Sequence, residues 1–307
     1  MRKPKIFREK RIDFTLLVPD VDSYLTWHRR PRTQKTFLSL PSGVSHEDTG
    51  IVLQGDLKIS RGFTAETVKI YKKIFPGVNL LVSTWDTAHP KDIAALKALG
   101  ATVITKPLPE SSGPYNKNYQ QKSAHAGLVE AKKLGVKYLM KTRVDQRLYS
   151  PHALSLMKGL IKSFPLLGSA TNQNGRIVVI SNNTFTNRIY GVSDFLTFGL
   201  ADDIERYWDS ESPTGLDVPY ESPETSELYP EIFFCSRFLE RTGWDCDWSQ
   251  QDWMLALRSR FIVVDGTSLD FFWNKYSSRE ILWRRYGQTP HLEEVTFGHW
   301  IELIGSK

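Results

Sequence analysis

Lys141, Arg143, Asp145, Gln146 and Arg147 crowd into seven residues directly after the apolar run Tyr138-Leu139-Met140. The run reads as a buried strand, and Ser150-Pro151 reads as the cap and first position of a helix. In open α/β sheets, a strand that ends in polar residues just before a helix is where ligand chemistry sits. One carboxylate among cations can hold a divalent metal while the cations meet phosphate. The same residues can equally form a solvated strand end in which Asp145 pairs with Arg143 or Arg147. Gln54, after the apolar run 51–53, and Thr84 and Asp86, after the run 80–82, end their strands in the same polar way.

The elements that must position these residues begin at Gly50. An apolar strand at 51–53 is followed by a helix that Thr64 can cap, with Val68, Tyr71, Ile74 and Phe75 at helical spacing and Pro76-Gly77 as its stop. Strand 80–82, helix 90–99, strand 102–104 and a long helix over 118–134 continue the rhythm up to Tyr138. Such alternation predicts a mostly parallel sheet with right-handed crossovers and helices on both faces. Gln54, Thr84, Asp86 and residues 141–145 then fall on one edge and converge on one crevice. The first 49 residues carry one candidate strand at 14–18 and no clear period, as an extension wrapped on the main domain would. The second half is mixed. It predicts a helix over 151–164, a strand at 177–180, a strand over 191–199 carrying Asp194, and a helix from Asp202 or Asp203 to Trp208. A polar loop over 210–226 is long enough for a lid or an acceptor loop. Tyr229-Pro230-Glu231 opens a helix to 241, 261–264 is a late strand, and the aromatic, basic tail over 271–300 has no clear period.

The 307 residues suffice for one large core or two modest ones. With 9 Trp, 12 Tyr and 16 Phe, the chain can bury ample apolar area, which argues against disorder. A formal net charge of +6 favours anionic partners such as nucleotide phosphates, an anionic glycan or an acidic membrane surface. The basic stretches at 2–5 and 8–11 are too short to argue for nucleic acid. Cys235 and Cys246 make neither a disulfide framework nor a zinc site. No signal peptide and no spanning apolar run is read, so a reducing, cytoplasmic location is expected. No phosphate-binding loop, dinucleotide fingerprint, serine elbow or paired-histidine helix supports a kinase, dehydrogenase, hydrolase or metalloprotease.

Several short motifs follow one another in order along the chain. They are Val52-Leu53-Gln54-Gly55, Phe63-Thr64 with Tyr71-Lys72-Lys73-Ile74-Phe75-Pro76, and Val82-Ser83-Thr84-Trp85-Asp86. Asn118-Tyr119-Gln120-Gln121 with Ser123 and Gly127-Leu128, and then Lys141-Thr142-Arg143-Val144-Asp145-Gln146, extend the series. Ser193-Asp194, Phe198-Gly199 and Pro230-Glu231 complete it, over residues 50–240. As a set these motifs resemble the WavE lipopolysaccharide-synthesis family of bacterial glycosyltransferases, and the resemblance implies an α/β, GT-A-like nucleotide-diphospho-sugar transferase fold with a nucleotide-sugar donor. The organisation expected is an N-terminal extension over 1–49, a catalytic domain over 50–270, and a tail over 271–307 packed on it. Within the domain, 50–150 forms the donor half and 151–270 the acceptor half.

The resemblance also implies roles. Gln54, Gly55, Thr84, Trp85 and Asp86 lie where such enzymes hold the nucleoside; Trp85 either packs on the base or fills the core, and Asp86 either meets base or ribose or caps a helix. Asn118 and Gln120 open a helix whose N-terminus favours an anion. Lys141, Arg143 and Asp145 stand where an acidic motif grips a metal, here with one carboxylate. Asp145 therefore binds a manganese or magnesium ion alone or with His299, or Arg143 and Lys141 take over part of its charge. Glu231 resembles the general base of an inverting transfer, with Asp194, Asp202 and Asp203 as competitors. The function expected is transfer of a sugar from a nucleotide-sugar to a cell-surface glycan of lipopolysaccharide core or capsule type. The partners are then the donor and an oligosaccharide or lipid-linked acceptor, without nucleic acid, with peripheral contact at the cytoplasmic face of the inner membrane. The one-carboxylate motif keeps a second reading open, a glycan- or nucleotide-binding module on the same fold without turnover.

Overall fold

Short apolar runs separated by helical periods do build a sheet. Thr49–Gln54 forms β1, Asn79–Trp85 β2, Thr102–Lys106 β3 and Tyr138–Arg143 β4. The computed structural model describes residues 30–36, 43–60, 62–166, 172–209, 229–275 and 293–305. The chain separates into two units, Met1–Pro31 and Arg32–Lys307, and these strands belong to the second. The strand expected at 14–18, the basic stretches at 2–5 and 8–11, the loop 210–226 and the tail residues 276–292 lie outside the described residues.

β1 pairs in parallel with β2 on one side and β4 on the other, and β2 pairs in parallel with β3. Gln54 stands beside Ser83 in β2 and beside Arg143 in β4. The polar ends of β1, β2 and β4 therefore share one edge, as the alternation predicts. The sheet continues through β6 (Ile177–Ile180), β7 (Thr197–Leu200) and β8 (Phe261–Val264) in the order β3-β2-β1-β4-β7-β6-β8. β7 runs antiparallel to both β4 and β6, and β8 is parallel to β6. Just past β4, β5 (Gln146–Leu148) pairs antiparallel with β9 (Phe271–Trp273) in a small second sheet.

The helices are α1 (Leu57–Ser60), α2 (Phe63–Ile74), α3 (Pro90–Ala98), α4 (Lys117–Lys132), α5 (Ala153–Ser163), α6 (Ala201–Trp208), α7 (Pro230–Arg241), α8 (Gln250–Arg260) and α9 (Phe297–Gly305). Right-handed crossovers place α2 and α3 on one face, and the return from β3 to β4 places α4 on the other. Side-chain alternation then sorts β1. Val52 and Gln54 face α4, where Ser123 Oγ donates to Gln54 Oε1 at 2.6 Å, while Ile51 and Leu53 turn to the opposite face. All three apolar residues are fully buried.

Local details depart from the expectations. Thr64 lies inside α2, and its hydroxyl donates to the Val144 carbonyl at 2.9 Å, tying the helix to the turn after β4. Ser150 Oγ accepts from His152 N at 3.3 Å in the turn before α5, which starts later than Ser150-Pro151 suggests. The strand expected over 191–199 begins only at Thr197, so Asp194 belongs to the preceding loop. The stretch read as a tail without period contains β9 and α9.

Gly127 is where α4 touches the sheet. A Cβ there would lie 2.4 Å from Val52 Cγ1 and 2.9 Å from Ser83 Cβ. Helix propensity alone would make Gly127→Ala stabilising by about 1 kcal/mol. Overpacking a close contact costs about 1–3 kcal/mol and should win here. The variant is expected to lower the urea midpoint; a raised midpoint would show that α4 does not pack this closely.

Candidate active site

The edge formed by the ends of β1, β2 and β4 gathers the first set of polar groups. Gln54 is buried, and after it the backbone turns through Gly55 at φ 131°, a conformation closed to other residues. Gly55 N donates to Ser83 O at 3.0 Å. Ser83 Oγ, Thr84 Oγ1 and Gln120 Oε1 are buried here without a hydrogen-bond partner among the described residues. Orphaned polar atoms are uncommon in interiors, and these do not share one face: Ser83 lies under α4 at Gly127, while Thr84 points to the opposite face of the sheet. Trp85 does not face this edge: it is buried on the α4 side, edge-on to Tyr119 at 5.6 Å, so it fills core rather than offering a face to a base. Asp86 is exposed at the edge, and α3 is capped by His89, whose ring accepts from Lys91 N. Asn118 is taken up locally, donating from Nδ2 to Ser111 O at 3.2 Å.

β4 supplies the charges. Lys141 is fully buried; its Nζ donates to the Asp194 carbonyl at 2.6 Å and lies 4.0 Å over the Trp208 ring. Burial drives its pKa down to about 7, against the opposing pull of Asp194. Arg143 grips Asp145 with both forks, Nε to Oδ1 at 3.0 Å and Nη2 to Oδ2 at 3.2 Å. Burial alone would raise the Asp145 pKa, but the Arg143 charge, its hydrogen bonds and the Trp273 indole outweigh that and hold it below the usual carboxylate range. Arg143 itself keeps one-fifth of its side chain exposed, whereas Asp145 is closed off. Arg147 is consumed by structure: it donates to Thr67 Oγ1, Tyr149 OH and the carbonyls of Phe63 and Arg32, and packs on the Phe63 ring.

A carboxylate pair completes the site. Because β7 is antiparallel to β4, the loop before β7 arrives at the same edge, bringing the buried Asp194. Glu231, in the first turn of α7 behind Pro230, meets it there. Asn183 Nδ2 donates to Glu231 Oε1, and Arg188 Nη1 lies 3.8 Å from the same oxygen. Burial raises the Glu231 pKa, the Asp194 charge raises it further, and Arg188 and Asn183 only partly compensate. The Tyr207 hydroxyl is buried without a partner among the described residues and feels Asp194, Glu231 and Arg188. Arg188, Asn183 and Tyr207 carry no sequence signal for this role; they sit on a polar loop and a helix face that meet Glu231 only in three dimensions.

Two expectations fail by geometry. Asp202 opens α6 after the far end of β7, next to Leu200, which pairs with Tyr138 at the start of β4. It is thus on the opposite edge, half exposed and paired with Lys132 at 2.7 Å. Asp203 shares that edge, where it accepts from Asn174 N and Gly175 N, and burial raises its pKa to about 6. His299 lies on α9, which packs on β8 and α8; β8 is three strands from β4, roughly 14 Å at the usual strand spacing. No group of three His, Cys, Asp or Glu side chains among the described residues is arranged to hold a metal ion. With both Asp145 oxygens on Arg143, the donor set does not fit a divalent metal.

The buried Lys141 has a pH signature. Its folded pKa is lowered, so the unfolded chain binds more protons above pH 7 and stability rises with pH from there toward the ordinary lysine range. Lys141→Met removes the titrating group. Denaturation between pH 7 and 10 should show wild type gaining stability relative to the variant; parallel curves would mean that Lys141 is solvated.

Similar solved structures include a glycosyltransferase involved in the glycosylation of the major capsid of PBCV-1, at 13% identity and TM-score 0.38, covering 76% of this chain and 96% of that one. A cytidylyltransferase from Leptospira borgpetersenii serovar Hardjo-bovis is similar at 14% identity and TM-score 0.35, covering 77% and 93%. Mouse xyloside xylosyltransferase 1 is similar at 11% identity and TM-score 0.34, covering 71% and 85%. At scores this low the likenesses transfer no residue role. No curated protein matches the chain. The family model described as WavE lipopolysaccharide synthesis matches residues 50–226, more than half of the 307, and the chain belongs to that family.

Proposed function

We propose that this protein is a glycosyltransferase that moves a sugar from a nucleotide-sugar donor to a cell-surface glycan of lipopolysaccharide core or capsule type. The observation that carries the reading is the buried Asp194–Glu231 carboxylate pair beside Lys141 and Arg143, at the edge shared by the ends of β1, β2 and β4. The family description supports it.

In this reading the nucleoside lies at Gln54, Gly55, Thr84 and Asp86, with Gln120 beside it. Residues 50–150 serve the donor and 151–270 the acceptor. Arg143, positioned by Asp145, meets the diphosphate; charge-assisted hydrogen bonds from a guanidinium fit phosphate oxygens well. Glu231 takes the proton of the acceptor hydroxyl, that oxygen bonds to the anomeric carbon, and the bond from this carbon to the diphosphate breaks. The nucleoside diphosphate leaves with the electron pair, its charge met by Arg143. Partial desolvation, with Asp194 close by, makes Glu231 a stronger base than a solvated glutamate. No helix among the described residues is long and apolar enough to cross a membrane. The reading places the enzyme in the cytoplasm at the inner membrane, where a net charge of +6 suits an acidic surface.

The test is release of nucleoside diphosphate from a panel of nucleotide sugars, with and without rough lipopolysaccharide. Glu231→Gln is expected to slow transfer about a hundredfold to ten-thousandfold with donor affinity nearly unchanged. The acid limb of kcat/KM should lie above the ordinary glutamate range, because the raised Glu231 pKa keeps the base protonated to higher pH. Asp194→Asn removes the like charge and should move that limb to lower pH. Wild-type rates in Glu231→Gln would overturn the role. The single carboxylate of the motif, Asp145, is what motivates the second reading, a binding module without turnover; nucleotide binding with no product from any donor would establish it.

A further inference from the structure

At the start of α7, two residues before Glu231, stands an aromatic pair that is largely exposed. Tyr115 is 59% exposed and Tyr229 39% exposed, yet their rings stack at 5.3 Å with 20° between planes. Tyr115 and Asn116 both adopt left-handed backbone, at φ 50° and 62°. A bulky residue there is strained, and such strain collects at ligand sites. The turn is held in place: Asn116 N donates to Gly113 O, Asn118 N to Ser112 O, and Lys117 Nζ sits 3.8 Å over Phe233 of α7. Tyr229 is fixed as the cap of α7, its carbonyl accepting from Ile232 N and Phe233 N. Glu231 follows Tyr229 by two residues.

We propose that Tyr115 and Tyr229 form a stacking subsite for a pyranose of the acceptor glycan. This rests on the transferase reading. One face of a pyranose is lined by C–H bonds that pack on an aromatic ring, while its hydroxyls stay wet or meet the phenol groups. A sugar stacked here lies alongside the first turn of α7, which carries Glu231. The backbone strain has an explanation: it presents the Tyr115 ring to a ligand rather than to the core.

The experiment titrates the full chain, without donor, with deacylated lipopolysaccharide core oligosaccharide by calorimetry, and separately with uridine and guanosine diphosphate. Tyr115→Gly removes the ring and relaxes the backbone; Tyr229→Ala removes its partner. Each is expected to weaken oligosaccharide binding about tenfold with nucleotide affinity unchanged. Tyr115→Phe should retain binding, and the thermal midpoint of Tyr115→Gly should be equal to wild type or higher. The proposal is overturned if wild type does not bind the oligosaccharide, if both variants bind it like wild type, if nucleotide affinity falls instead, or if Tyr115→Gly loses stability. Because binding is read without turnover, a chain that binds through these rings but never releases nucleoside diphosphate would overturn transfer and leave the subsite standing.

Discussion

The hydrogen bond from Lys141 Nζ to the Asp194 carbonyl is what the site is built around. Lys141 belongs to β4, the strand at which the parallel part of the sheet meets the antiparallel part. Asp194 belongs to the loop that feeds β7. One buried amine thus joins the half that ends in Gln54 and Arg143 to the half that brings the carboxylates. It does so by sitting against Trp208 with no side-chain carboxylate among the described residues as its direct partner, and that desolvation is why its charge is so weakly held.

Around that bond the charges are arranged unequally. Asp145 is fully compensated by Arg143, Arg147 is absorbed by backbone carbonyls, and Glu231 is left with less compensation than its burial demands. Buried charge without full pairing is expensive, and proteins retain it mainly where chemistry needs it. The contrast between Asp145 and Glu231, two carboxylates at one sheet edge with opposite displacements, separates a residue that positions from one that can exchange a proton.

Much of the donor side was legible in the sequence because its signals are local. Apolar runs of three or four residues with polar ends, spaced by helices, fix a parallel sheet and therefore a common edge for Gln54, Asp86 and Asp145. Side-chain parity was less visible: whether Trp85 faces a ligand depends on which face α4 covers, and Gly127 reveals that only once it is packed on Val52. The acceptor side was obscured by direction. β7 has four residues and carries no mark of running antiparallel, so Asp194 and Asp202, on either side of it, look equivalent in sequence although they stand on opposite edges. α8 begins with Gln250, Gln251 and Asp252 and shows little amphipathic pattern, and β9 is too short to display alternation. Arg188 reaches Glu231 across a gap in sequence that no periodicity spans.

The strand order also constrains synthesis. β1 gains its second neighbour only when β4 appears, and β4 waits for β7, although β1, β2 and β3 can pair as soon as they leave the ribosome. At ordinary elongation rates the interval between β4 and β7 is on the order of 3–11 seconds. Throughout it, the outer backbone groups of β4 are unpaired beside an ammonium that has not yet met its carbonyl, a template for pairing with another nascent chain. The residue that joins the finished halves is therefore also what leaves the growing edge charged, and a charged edge is one of the devices by which unfinished sheets avoid aggregation.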